Sequence, residues 1–401
     1  MIEELLSCNI DLAEAVAKYL KETYWHDVAD GGEDNYSPEQ RHYQLDLHAS
    51  QPYLEAFAKL LKQWEQFEWD IKHRNCFLSA RQAEFLTKTF APLLNGELNK
   101  GIAPIIVIGT HENEFEFIYR GREASALSDR KRIYANPTLE LSPPPPKLRR
   151  QGLMNAAGIS AFYGCGDVET CVAELRVPVG GAAVVGKFKF LRPTRLLDLR
   201  QVKKTEPFGK LSWFSWDFVD KNSYADFVRG LHDLIRRPVL PGDESLEYLP
   251  TQMIAEYLSS RADLRLDGIM FSSSLVSKGN AEDENSEGEA WDDTKKGVNI
   301  VLFAGSSVVS AVCGNVQYEV TRISEPNFDD ETAHWGFTEW VDRKPIKPAD
   351  DAELEVDFHE SYSPEPTLEI VEDEIRVVHV RAIKYVVNES KVEFEPRARH
   401  F

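Results

Sequence analysis

The sequence is poor in the features that mark several common protein classes. No stretch approaches the roughly 20 consecutive apolar residues needed to span a bilayer, and Met1-Ile-Glu-Glu is acidic where a secretory leader is basic. A soluble, cytoplasmic protein without a membrane partner is therefore expected. The five cysteines (Cys8, Cys76, Cys165, Cys171 and Cys313) are odd in number and form no CxxC pair. They suggest neither a disulfide framework nor a zinc site, and read as small buried hydrophobes. No HExxH, GxSxG, P-loop or GxGxxG occurs, so the corresponding hydrolase and nucleotide-binding layouts lack their signatures. Positive charge is scarce as well: 46 Lys and Arg face 66 Asp and Glu, a net charge of −20. That balance opposes polyanions, and nucleic acid is not an expected partner.

What is present argues for a folded protein of two or three domains. The chain has 401 residues, 42% of them hydrophobic, with eight tryptophans, enough to bury a sizeable core. Residues 1–100 read as a helical bundle. Leu5, Ile10, Leu12, Val16 and Leu20 suggest one helix, Ser37-Pro38-Glu39-Gln40 a second start, and Leu54, Phe57, Leu61, Trp64 and Phe67 a third apolar face. Ser79-Ala-Arg-Gln82 has the form of a capping box opening a fourth helix, which stops near Asn95-Gly96. Between the first two helices, the carboxylates of Tyr24–Tyr36 do not have the spacing of a calcium loop, and no metal is expected.

From residue 101 the period becomes that of strands: Pro104–Ile108, Phe115–Arg120, Ala182–Phe190, Arg195–Leu199, Gly268–Phe271, Val298–Phe303, Val308–Val312 and Gln317–Arg322. Arg120 is predicted to face away from Phe115, Phe117 and Tyr119. Residues 136–147, with four consecutive prolines, are expected to be extended without a helix. Helices are expected from Asn222 and over Gln252–Leu258. The acidic stretch 277–296 reads as a surface insertion. Residues 324–401 form a C-terminal extension with strands at 367–372 and 375–387. The fold class is thus α+β. Arg120, Arg122, Arg130, Lys131, Arg132, Lys147, Arg149 and Arg150 concentrate positive charge within an otherwise acidic molecule.

The segment Lys147–Arg176 stands out. A turn at Asn155-Ala-Ala-Gly158 and an apolar run to Tyr163 lead into Gly164-Cys165-Gly166. Asp167 is then placed to cap a short helix whose Val168, Cys171, Val172 and Leu175 share one face. Glu174 falls at the edge of that face, positioned to look along a groove. Cys165, flanked by glycines, has the setting of a nucleophile but no evident histidine partner.

The order of Phe117-Ile-Tyr-Arg120, Ala161-Phe-Tyr163, Glu174 eleven residues later and Asp267-Gly-Ile-Met-Phe-Ser-Ser-Ser274 resembles the RES domain family. Tyr248-Leu-Pro-Thr-Gln252 and Gly297–Phe303 support the resemblance, which covers about residues 115–315. It departs at Gly121, where the family often has an aromatic residue. The resemblance implies an ADP-ribosyltransferase-like mixed sheet preceded by a helical domain of the HEPN/RES type. It also implies an NAD+-degrading toxin, a phosphorylase or glycohydrolase, with water or inorganic phosphate as acceptor and an antitoxin or a second copy of the chain as partner. By position, Arg120, Glu174 and Ser273 are the implied catalytic residues. Arg120, Tyr163, Arg150, Asn155 and Ser273 are the implied contacts to NAD+; Ser272 and Ser274 compete with Ser273. Protein ADP-ribosylation and non-catalytic NAD sensing are the alternatives.

These residue types suit the chemistry. Loss of nicotinamide leaves a cation on the ribose and needs no general acid. A fixed carboxylate near that cation, and donors that hold the dinucleotide still, lower the barrier.

Overall fold

The computed structural model describes residues 51–74, 77–95, 104–110, 115–203, 217–237, 239–240, 242–276, 295–310, 318–324, 339–346 and 365–383. The expectations for the first two helices, the loop 24–36 and most of the acidic insertion fall outside these residues.

Two long helices come first, α1 (Gln51–His73) and α2 (Ala80–Leu94). The box at the start of α2 is formed in full: Ser79 accepts from Gln82 N, and the Gln82 side chain accepts from Ser79 N. The buried stripe of α1 is rotated from the one expected. Tyr53, Trp64, Phe67 and Ile71 are buried, with Phe57 and Leu60 packed beside them, while Leu54 and Leu61 are exposed. Hydrophobic spacing alone did not distinguish Leu60 from Leu61.

Eight strands follow in one mixed sheet: β1 (Ile105–Ile108), β2 (Phe117–Glu123), β3 (Phe162–Cys165), β4 (Ala182–Phe190), β5 (Thr194–Asp198), β6 (Gly268–Ser272), β7 (Val298–Leu302) and β10 (Leu368–His379). Their order is β1-β5-β6-β7-β3-β2-β4-β10. Only β5 and β6 run parallel. Alternation along each strand divides the apolar residues between two cores. Leu197, Ile269, Phe271 and Val301 join α1, α2, α6 (Phe218–Ile235) and α7 (Leu249–Ser260) on one face. Leu196, Met270, Ile300 and Leu302 join Ile118, Phe162 and Phe188 on the other, under α3 (Leu127–Ala135) and α4 (Pro137–Leu141). The molecule is α+β. No helix among the described residues is long and apolar enough to cross a membrane.

Five further expectations are corrected. Residues 136–147 do contain a helix, α4, because Asn136 caps it and Pro137 occupies its first turn, where no amide hydrogen is needed. The helix predicted from Asn222 begins at Phe218, and the Asn222 amide donates back to the Phe218 carbonyl. Of the strand expected at Val308–Val312, the described residues 308–310 form only an isolated bridge, Val309 to Leu368. Finally, the strand expected at Gln317–Arg322, β8 (Tyr318–Ser324), lies outside the main sheet and pairs with β9 (Trp340–Pro345). The edge position is filled by β10 from the C-terminal region, a single strand with a register shift between Val371 and Arg376 rather than two strands.

Candidate active site

On the face shared with α6 and α7, a third small cluster packs α5 (Val168–Glu174) over Cys165, Ala183 and Val185. Between α5 and the ends of α6 and α7, part of β3 is left uncovered, and a cleft of about 630 Å³ opens there. That volume lies within the range of small-molecule sites.

Asp167 positions α5. Its carboxylate accepts from Thr170 N (2.8 Å), Thr170 Oγ1 (2.5 Å) and, across the sheet, Gly297 N (3.2 Å). This anchors the N-terminus of the helix to the start of β7 and brings Glu174, at the C-terminal end, to the cleft. Gly121 allows the close approach: a Cβ there would lie 3.0 Å from Leu175 Cδ1 and 3.1 Å from Val184 O.

Glu174 Oε1 accepts two short hydrogen bonds, from Ser273 Oγ (2.6 Å) and Asn299 Nδ2 (2.6 Å). Of the three consecutive serines, Ser273 is the one that reaches the carboxylate; Ser274 lines the cleft. The Ser273 carbonyl in turn accepts from Arg236 Nη1 (3.4 Å).

Arg120 reaches the cleft through a break in the sheet. Strands β2 and β3 are paired at one position only, Tyr119 with Cys165. Next to it, the Arg120 guanidinium donates to the Tyr163 carbonyl (3.0 Å) and lies 5.0 Å from the Phe162 ring centre. Its Nε is buried without a hydrogen-bond partner among the described residues. Burial, with Arg122 nearby, brings the group down to about 10, so it remains a cation at neutral pH. A half-buried cation lacking an anion among the described residues carries a desolvation cost that a bound anion offsets.

Tyr163 lines the cleft, and its hydroxyl is already engaged. It accepts from Met154 N (2.9 Å) and donates to Asn155 Oδ1 (2.7 Å). Burial holds the phenol well above its usual range, so it stays neutral and its ring face is what it offers a ligand. Gly152 makes this possible, since a Cβ there would fall 2.6 Å from the Tyr163 hydroxyl. Asn155 stands behind Tyr163 and is not among the cleft-lining residues. Its amide nitrogen is spent on the carbonyls of Arg150, Ala156 and Ile159. The start of α7 fixes the same loop: Gln252 donates to Gly152 O (2.9 Å) and Thr251 to Leu153 O (2.5 Å).

The charge of the cleft is redistributed relative to expectation. Arg150 lines it, but Arg122 and Arg132 pair with Glu140, Arg130 with Glu339, and Arg149 bonds the Pro144 and Gly158 carbonyls. In their place Arg176, Arg236 and Arg237 come to the walls, with Glu244 and Tyr248. Among the described residues, neither Arg150 nor Arg176 has a side-chain hydrogen bond or ion pair. Asn299 is marked in the sequence only as an amide within the apolar run Val298–Phe303. Arg176, Arg236 and Arg237 carry no such mark, because only folding collects them.

No curated protein and no solved structure matches this chain. The RES domain model matches residues 129–312, a span that includes Tyr163, Glu174, Ser273 and Asn299 and begins just after Arg120. RES domains are generally linked to NAD-related activity in toxin systems. Glu174 and Ser273, joined by a hydrogen bond at the cleft, both lie within that span, and over residues 129–312 the chain carries a RES domain.

Proposed function

We propose that the cleft binds NAD+ and cleaves the bond between nicotinamide and ribose. The observation that carries this reading is the asymmetry of Glu174. Oε1 is saturated by Ser273 and Asn299, and Oε2 has no protein donor among the described residues. One carboxylate oxygen is thus held for a ligand, in a cleft whose other charged groups are chiefly arginines. A dinucleotide with a cationic pyridinium ribose at one end and a pyrophosphate in the middle matches that layout. The free oxygen faces the sugar carbon as positive charge develops there, while Arg120, Arg150 and Arg176 take the phosphates. The Tyr163 ring packs on the nicotinamide.

As the C–N bond breaks, its electron pair leaves with neutral nicotinamide. Water then yields ADP-ribose and a proton, and inorganic phosphate yields ADP-ribose 1″-phosphate. In a cell the consequence is NAD depletion, the effect of a toxin. The test is nicotinamide release by the purified protein, with and without phosphate, and product identification. Glu174→Gln is expected to lower turnover by a factor of about 100 to 1,000 with little change in NAD+ binding, the usual loss for one preorganised electrostatic group. Near-normal turnover in that variant would sink the assignment. Label transferred from NAD+ to protein would instead indicate ADP-ribosylation.

A further inference from the structure

We infer that Asn299 is a positioning residue that orients Glu174, and that the Cys165 thiol sets the direction of its amide. This rests on the reading of Glu174 as the reacting carboxylate. Strand β7 is buried throughout, and Asn299 within it is 8% exposed. An amide in such a place is costly unless both its ends are bonded. Both are: Nδ2 lies 2.6 Å from Glu174 Oε1, and Oδ1 faces Cys165 Sγ at 3.4 Å. Cys165 and Asn299 are register partners on β3 and β7, so their side chains leave the sheet side by side on the cleft face.

The amide has two orientations, and only one is compatible with its neighbours. Turned over, it would set a carbonyl oxygen 2.6 Å from a carboxylate oxygen and face the thiol with a donor. In the orientation present, the S–H donates to Oδ1 and the amide hydrogens go to Glu174. The contact with Cys171, together with burial, pushes the Cys165 thiol well above its ordinary range. It therefore stays protonated and serves as a donor, a role at odds with the thiolate a nucleophile needs. Ser273 delivers the second hydrogen to the same oxygen, because its Oγ accepts from Leu275 N at 3.0 Å, directing its own hydrogen at Glu174. Two donors on Oε1 fix which oxygen faces the cleft.

The experiment compares kcat and KM of nicotinamide release for wild type, Asn299→Leu, Cys165→Ala and Cys165→Ser, with melting curves as folding controls. A carboxylate left free to turn loses transition-state stabilisation rather than substrate binding, so kcat should be about tenfold lower in Asn299→Leu, with KM for NAD+ within about twofold of wild type. Cys165→Ala should lower kcat by less, and Cys165→Ser, which keeps a donor, should restore it. A kcat that coincides with wild type in folded Asn299→Leu overturns the inference; should that variant not fold, Cys165→Ala decides in the same way. Absence of nicotinamide release from wild type would instead remove the proposed function. The carboxylate stretching bands of Glu174, isolated by infrared difference against Glu174→Gln, would then be compared. A band shifted in the Asn299 or Cys165 variant supports the positioning role, and an unmoved one overturns it.

Discussion

Arg176 has a backbone φ of 52°, in the left-handed region where a side chain costs about 1 kcal/mol or more. It follows the last turn of α5, two residues past Glu174, and lines the cleft without a side-chain partner among the described residues. A glycine would adopt this conformation freely, so an arginine retained here is explained by its guanidinium and not by its backbone. Arg176→Gly is accordingly expected to raise the melting midpoint by about 1–3 °C while raising the KM for NAD+ several-fold. A lower midpoint with unchanged KM would make Arg176 a structural residue. Asn155 gives the opposite lesson. Its residue type and position suggest a ligand contact, yet its amide is consumed by three loop carbonyls, leaving it to hold the Tyr163 hydroxyl.

At the scale of elements, α5 spans only seven residues, Val168–Glu174, too short to be stable by its own hydrogen bonds. Its position depends on Asp167, which ties it to Thr170 and to Gly297. Asp167→Ala removes a cap worth about 1 kcal/mol and also loosens the link to β7. A loss of about 1–2 kcal/mol in denaturant unfolding is expected. A fall in turnover should accompany it, since Glu174 and Asn299 sit on the two elements being uncoupled. Unchanged turnover would mean that α5 is held in register by packing alone. The cap was legible from the local pattern of Asp167 and the apolar face after it. The partner at Gly297 was not, because it is 130 residues away in sequence.

Across the whole molecule, α1 and α2 do not enclose a core of their own among the described residues. Trp64, Phe67, Leu86 and Phe90 share one cluster with Phe227, Leu231, Ile254 and the sheet residues Ile269 and Val301. Tyr53 bonds Asp226, and Lys72 bonds Glu247 at 2.9 Å. These helices and the sheet should therefore unfold together. Trp64, 3% exposed, replaced by alanine is expected to cost about 3–5 kcal/mol and to lower a single transition seen equally by helix-sensitive and tryptophan fluorescence signals. Two separate transitions, with only the first moved, would refute the shared core.

What the sequence determined by itself was mostly local: the capping box at Ser79, the cap at Asp167, the period change near residue 101 and the apolar strands. These depend on neighbours within a few residues, where hydrogen-bond reach and side-chain alternation are set by the backbone. The order of Tyr163, Glu174 and Ser273 along the chain added the resemblance to the RES family. Only the tertiary structure decided that Asn299 and Cys165 stand beside Glu174, that Arg176, Arg236 and Arg237 replace much of the expected basic cluster, and that β10 fills the sheet edge. Each of those facts joins segments far apart in the chain, and no local spacing encodes a contact that exists only once the sheet has closed.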